Sequence, residues 1–275
     1  MNNLTSVSTP QAGPSAESAV VLVERNGPVV TVILNRPAKL NATTLESWQL
    51  LGDAIEQLDG DDSVRCIILR GAGTQAFAPG NDISEFPTHR STVDLARDYG
   101  AVMHRALSIL QQCRHPLVAM IQGICVGGGL GIASLCDIRI CGESSRFGVP
   151  VNKLGLVMAH AEMAGLMRIA GPDVTLEILL EGRVFSAAEA LHKRLVTRVV
   201  ADDEVESAAL ASAARIAAGA PLVARWHKQF VKRLDDPRPL TTEEYEQAFD
   251  CFGTQDFQIG YQAFLNKQTP EFGGH

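Results

Sequence analysis

The sequence predicts an α/β fold, a mostly parallel sheet followed by a helical C-terminal third, and three observations lead there. Short β-branched strands alternate with longer segments of helical spacing through residues 66–141, the arithmetic of strands joined by crossover helices. Two glycine-rich turns, around Gly80 and Gly128, follow strands rather than joining hairpins. Beyond Ser186 the strand signals nearly stop, and four helical patterns follow one another.

The chain opens with residues 1–18, rich in Ser, Thr, Pro and Gly and lacking both a basic start and an apolar stretch, so a disordered leader is expected rather than a signal sequence. Residues 20–24 and 29–35 are apolar, β-branched runs separated by Arg25-Asn26-Gly27-Pro28, a hairpin pattern. Residues 44–58 place Leu45, Trp48, Leu51, Ile55 and Leu58 at helical spacing. A short buried strand is predicted at 66–70, a helix at 93–112, a strand at 117–121, a short helix after the second glycine turn and a strand at 137–141. Helices are predicted at 204–219, 222–234, 241–251 and 255–267. The expected organisation is a leader over 1–18, a core over 19–200 and a C-terminal helical region over 201–275. Phe249 with Phe252, and Phe257 with Tyr261 and Phe264, recur at helical intervals, which predicts helix packing or a subunit interface.

A chain of 275 residues with 46% hydrophobic and 20% charged residues can bury a good-sized core. A net charge of -7 gives no global basic field, so neither nucleic acid nor an anionic membrane surface is expected as the main partner. No run approaches the roughly 18 apolar residues of a membrane span. Six cysteines without a CxxC pair, most of them in apolar runs, predict buried thiols, a reducing cytoplasm and no structural metal.

Gly71-Ala72-Gly73-Thr74-Gln75-Ala76 matches the dinucleotide fingerprint. Its context argues against that reading, because Pro79-Gly80 follows within a few residues and would interrupt the helix such a loop must open. The second cluster, Gly127-Gly128-Gly129, precedes a small-residue run and reads as a helix N-terminus, where unpaired N–H groups point outward. Residues 77–82, Phe-Ala-Pro-Gly-Asn-Asp, also end a strand in a tight turn. Two such turns can aim one N–H each at a single point, the arrangement of an oxyanion hole.

At these residues the chain resembles the crotonase superfamily, the enoyl-CoA hydratases and isomerases, along almost its whole length. The matches are ordered: Leu34-Asn35-Arg36-Pro37 with Leu40-Asn41-Ala42, then Ala76-Phe77-Ala78 with Gly80 and Asp82, then Gly127-Gly128-Gly129 with Cys136-Asp137. Phe147-Gly148 with Pro150 and Leu154-Gly155, and Ala263-Phe264 with Lys267, complete them. The resemblance implies a ββα spiral core with a C-terminal helical trimerisation region, a homotrimer or dimer of trimers, and an acyl-CoA thioester as ligand. Coenzyme A is then part of the substrate and no separate cofactor is expected. It further implies that the N–H groups of Asn81 and Gly128 hold the thioester oxygen. Ala38, Lys39, Leu40 and Ala78 would lie along the coenzyme, and Phe264 with Lys267 would meet its adenine and phosphates.

Family hydratases use two glutamates, one to activate water and one to supply a proton. Those positions fall on Gly131 and Val151, and an acid position of some family isomerases falls on Ala159. His160 and Glu162, at the expected start of a helix, are the remaining candidates for proton transfer. A first-turn acid also simply favours a helix. Tyr99, His104 and His89 lie on or before a helix that lines the acyl pocket in relatives. Asp82 and Asp137 read as turn or core hydrogen-bonding residues. The expected function is therefore thioester-enolate chemistry, isomerisation or a related reaction ahead of hydration. Two alternatives stand beside it. The turn over residues 80–87 is similar to that of methylmalonyl-CoA decarboxylases, although Met158 stands where those have tyrosine. A catalytically silent acyl-CoA-binding protein would also keep the hole and lack the acids.

Overall fold

The computed structural model describes residues 19–275, so the expected leader lies outside the described residues. The first hairpin is β1 (Val21–Asn26) and β2 (Val29–Leu34), antiparallel about Gly27-Pro28. Helix α1 (Leu45–Asp59) follows, its first turn capped by Thr44, whose side chain accepts from the Ser47 N–H.

A strand–strand–helix unit then repeats three times. The first pass is β3 (Cys66–Gly71), β4 (Ala76–Ala78), the short α2 (Phe86–His89) and α3 (Val93–Gln112); the second is β5 (Leu117–Ile121), β6 (Ile124–Val126) and α4 (Gly128–Leu135). The third is β7 (Ile138–Gly142), β8 (Arg146–Gly148) and α5 (His160–Glu181), the last broken at Gly171-Pro172. The remainder is β9 (Val184–Ser186), α6 (Ala187–His192), β10 (Arg198–Val200), α7 (Val205–Ala217), α8 (Pro221–Leu234), α9 (Thr242–Glu246) and α10 (Gln255–Asn266).

The repeat sorts its strands into two sheets. One is six-stranded, β1-β2-β3-β5-β7-β10, parallel except at the hairpin. The other is four-stranded, β4-β6-β8-β9. The ββα spiral is thus present. The end of β4 is legible in the sequence at residues 77–78, whereas the three-residue strands β6 and β8 are too short for a periodic signal.

Strand β3 is buried on both faces, as a central parallel strand must be. Ile67 and Leu69 face a core with Trp48, Leu51 and Ile55 of α1 and Met103, Leu107 and Leu110 of α3. Cys66 and Ile68 face the other way, against Val205, Ala209 and Ala213 of α7. Helix α7, expected within a separate region starting at 201, therefore covers the sheet, and the core runs on to Ala217. The segment expected as one helix over 241–251 is α9 followed by a 3₁₀ stretch, Gln247–Gly253. Phe249, Phe252, Tyr261 and Phe264 are exposed on these last elements. All six cysteines are unpaired, and burial pushes the Cys66, Cys113, Cys136 and Cys141 thiols up to about 12. Among the described residues no single helix is long and apolar enough to cross a membrane.

Candidate active site

The two glycine turns meet. Gly80 has φ +106°, and a Cβ placed on it would lie 3.1 Å from the Gly128 nitrogen. Its bare backbone serves twice, allowing the left-handed bend and leaving the Gly128 N–H open. Gly127, the N-cap of α4, has φ 55° and ψ -123°, a combination that side chains oppose. A Cβ on Gly128 would lie 3.5 Å from the Gly80 Cα and 3.9 Å from the Asn81 nitrogen, so the Asn81 and Gly128 amides sit side by side.

Both amides are free to donate. Asn81 forms a parallel bridge with Thr43, but the bonds of that bridge use its neighbours: Thr43 N–H donates to Gly80 O, and Asp82 N–H to Thr43 O. Gly128 is the first residue of α4, where no intrahelical acceptor exists. Among the described residues neither N–H donates to a protein acceptor.

The Asn81 side chain is fixed from several sides. Its Oδ1 accepts from Trp48 Nε1 at 2.8 Å, Thr43 Oγ1 at 3.1 Å and Tyr99 OH at 3.4 Å, while its Nδ2 faces Met103 Sδ at 3.8 Å. The indole nitrogen can only donate, so the atom facing it is the amide oxygen. Burial pushes the Tyr99 phenol well above its ordinary range, with Glu85 adding to the effect, so it stays a neutral donor. In the sequence Trp48 reads only as a helix-packing residue, and Thr43 carries no signal of its own. Nothing local in the sequence links them to a residue more than thirty positions away.

Position 131 faces the start of α5. A Cβ on Gly131 would lie 3.9 Å from Met158 Cε and 3.9 Å from Glu162 O. His160 is the first residue of α5, exposed, and has no side-chain hydrogen bond or ion pair among the described residues. Glu162 is half-buried. Its Oε1 accepts from the Ala159 N–H at 3.1 Å and lies 3.9 Å from Nε2 of His104 on α3. Burial raises the Glu162 carboxyl above its ordinary value, opposed by the Ala159 N–H and by the charges of His104 and Arg90. The His104 Nε2 is itself buried without a hydrogen-bond partner. The resemblance sets His104 on a pocket-lining helix, and nothing in the sequence pairs it with Glu162.

Pro37–Lys39 form a 3₁₀ turn, and Leu40 and Asn41 follow with φ of 53° and 64°. Asn41 holds this bend, donating through Nδ2 to Ala72 O and Ala76 O and accepting from the Arg36 N–H. Ala38, Lys39 and Leu40 are thereby tied beside β4, where Ala78 is buried. Phe264 is 83% exposed, and no hydrogen bond or ion pair joins it or Lys267 to Ala38–Leu40 among the described residues. The start of α10 is instead bound, through Asp256 and the 272–275 segment, to Arg65 at the opposite end of β3.

The fingerprint over residues 71–76 leads from β3 into β4 and opens no helix, which removes the dinucleotide reading. Asp82 pairs with Arg36 at 2.9 Å and accepts from Ser84. Asp137 pairs with Lys228 at 2.8 Å and accepts from the Leu117 N–H. Both are structural residues, as expected. Two cavities, each about 590 Å³, lie along α8, one lined by Leu135, Arg168 and Lys228 and the other by Phe230, Arg233 and Tyr245. Neither includes Asn81 or Gly128.

Residues 24–275 match the profile of the enoyl-CoA hydratase/isomerase family. The chain belongs to that family. It is 32% identical over 255 residues to the short-chain-enoyl-CoA hydratase of Clostridium acetobutylicum, covering 91% of this chain and 96% of the relative. Among solved structures it is similar to an enoyl-CoA hydratase/carnithine racemase from Magnetospirillum magneticum, 48% identical with a TM-score of 0.91, covering 93% of this chain and 96% of that one. It is also similar to the enoyl-CoA hydratase of Bacillus anthracis, 29% identical with a TM-score of 0.87 over 93% and 100%. This hydratase/isomerase fold, with its acyl-CoA chemistry, is the frame in which the two free amides stand.

Proposed function

We propose that the chain forms and stabilises an acyl-CoA thioester enolate and moves a double bond within the acyl chain. The observation that carries this reading is the pair of unengaged N–H groups, Asn81 and Gly128, side by side at the meeting of two glycine turns. Two donors aimed at one oxygen stabilise the negative charge that develops there, and removing one such donor costs on the order of 3 kcal/mol. The proton then needs a carrier. Glu162 is supported by its half-burial, its raised carboxyl and the place of its backbone beside position 131, whereas His160 faces solvent at the helix start.

In this reading the Glu162 carboxylate takes a proton from the carbon next to the thioester carbonyl. The C–H electrons move onto the carbonyl oxygen, held by the two amides, with the acyl double bond in conjugation. The resulting carboxylic acid returns its proton to the γ-carbon, and the electrons collapse back into a 2-enoyl thioester. Hydration would instead need one group to activate water and another to supply a proton. The positions assigned to those groups by resemblance hold Gly131 and Val151, while the relatives bear hydratase names.

Coenzyme A would run along Ala38, Lys39, Leu40 and Ala78. The exposed aromatic face of the last helices supports burial between copies in a trimer, with Phe264 and Lys267 of one copy reaching the coenzyme of a neighbour. Six unpaired thiols fit a reducing cytoplasm.

A panel of 2-enoyl, 3-enoyl and alkylmalonyl thioesters in deuterated water tests the reading. Interconversion of 3-enoyl and 2-enoyl thioesters, with deuterium entering the α-carbon, is the expected result. Carbon dioxide release from the alkylmalonyl thioesters would establish decarboxylation in its place, and rapid hydration of crotonyl-CoA would establish the relatives' named activity. Binding without any exchange would leave an acyl-CoA-binding protein.

A further inference from the structure

The geometry points to Trp48 as a positioning residue for the oxyanion hole, one indole edge bonded to the Asn81 turn and lying beside the Gly128 turn. This rests on the oxyanion-hole reading above and adds the element that fixes its width. Trp48 lies on α1 and is 1% exposed. Its Nε1 donates to Asn81 Oδ1 at 2.8 Å. The same edge of the ring lies beside the second turn: Cζ2, two bonds from Nε1, would be only 3.4 Å from a Cβ on Gly128. A rigid plane is therefore hydrogen-bonded to the Asn81 turn and flanks the Gly128 turn on the side where a side chain would project.

Thr43 completes the hold on the first turn. Its hydroxyl lies 3.1 Å from Asn81 Oδ1 and 3.2 Å from Gly80 O, and Tyr99 OH approaches the same amide oxygen. The side chain of Asn81 is thus an internal anchor for its own backbone. Turning that peptide to re-aim its N–H would break the bond from a buried indole, and an unpaired buried donor is costly. Preorganisation of this kind matters because an oxyanion hole works only when its donors are already placed where the charge will develop.

Packing alone would make Trp48 important for stability, so the test reads the carbonyl itself. Hexadienoyl-CoA, a conjugated thioester, absorbs at longer wavelength when donors pull electron density onto its carbonyl oxygen. The wild-type protein is expected to bind it with such a red shift. Trp48→Phe keeps an aromatic ring and removes the donor. It should still bind the probe, within about threefold in affinity, but lose at least half of the shift. With the substrate turned over in the panel above, its kcat should fall about 10- to 100-fold, the scale of a misplaced catalytic group, with KM little changed. Asn81→Leu, which keeps the backbone N–H and removes the anchor, should behave alike and replaces Trp48→Phe should that variant fail to fold. Leu51→Ala, which opens a cavity in α1 without touching the indole N–H, should lower the melting temperature and keep the shift. A full red shift in Trp48→Phe or Asn81→Leu, or an equal loss in Leu51→Ala, overturns the positioning role. A wild-type protein that gives no shift defeats the oxyanion-hole reading itself, and the role of Trp48 with it.

Discussion

The two walls of the candidate site are built differently. The wall proposed to hold the carbonyl is main chain: the Asn81 and Gly128 amides, set by two glycine turns and backed by Trp48, Thr43 and Tyr99. The wall proposed to move the proton is made of side chains at the start of α5, with His160 exposed, Glu162 half-buried and His104 leaning in from α3. The first leaves little to vary, because a Cβ or a turned peptide would block or re-aim a donor. The second can change by single substitutions without disturbing the spiral. On the proposed function, enolate formation would belong to the fold and the choice of reaction to a few residues near position 131.

The largest effect should come from breaking the carbonyl wall. Gly80→Val puts a branched side chain where φ is +106° and a Cβ alone comes within 3.1 Å of the Gly128 nitrogen. Turnover of the panel substrate is expected to fall on the order of 10²- to 10³-fold, as when an oxyanion donor is removed, and the red shift of bound hexadienoyl-CoA should vanish. Retained activity would mean that the carbonyl sits elsewhere. The proton wall should follow. Glu162→Gln keeps size and polarity and removes the base, so deuterium exchange at the α-carbon should slow about 10²-fold or more while the red shift survives. His160→Gln should change exchange by less than about twofold, the effect of altering an exposed residue away from the reacting atoms. A reversed ranking would move the proton carrier to His160.

The same difference governs what was legible in the sequence. The carbonyl wall announces itself because its demands are local: Gly80 and Gly128 are glycines for reasons of backbone and close approach, and each lies at the end of a strand. Helix α3 and strand β5 were bounded to the residue for a similar reason, since Thr92 caps the helix and the five apolar residues of β5 stand between turn signals. The part that escaped is long-range. Trp48 reads as one more apolar position on an amphipathic helix until the fold brings Asn81 to its indole N–H. His104 and Glu162 lie on different helices and meet only when α3 and α5 pack beside α4. The three-residue strands β6, β8 and β9 of the second sheet are too short to show, and nothing in the sequence alone assigns α7 to the core, where its small residues pack against Cys66 and Ile68.

The smallest expected effect is the most specific to the proton wall. His104, 3.9 Å from the Glu162 carboxylate, favours its ionised form, as does Arg90, and both oppose the upward push of burial. In His104→Ala one of the two groups that favour the ionised carboxylate is gone, so the carboxyl should be harder to ionise. If Glu162 acts as the base, activity rises with pH as its carboxyl ionises, on a limb above the ordinary glutamate range. Removing His104 should move that limb to still higher pH. The move should be a fraction of a unit, because a half-exposed pair at this distance contributes only about 0.2–1 kcal/mol. The pH dependence of kcat/KM in the two proteins measures it, and His104→Gln, equally uncharged, should match His104→Ala. A limb that stays in place, or moves to lower pH, would mean that the imidazole does not bear on the group that titrates, and the base would have to be sought outside the His104–Glu162 pair.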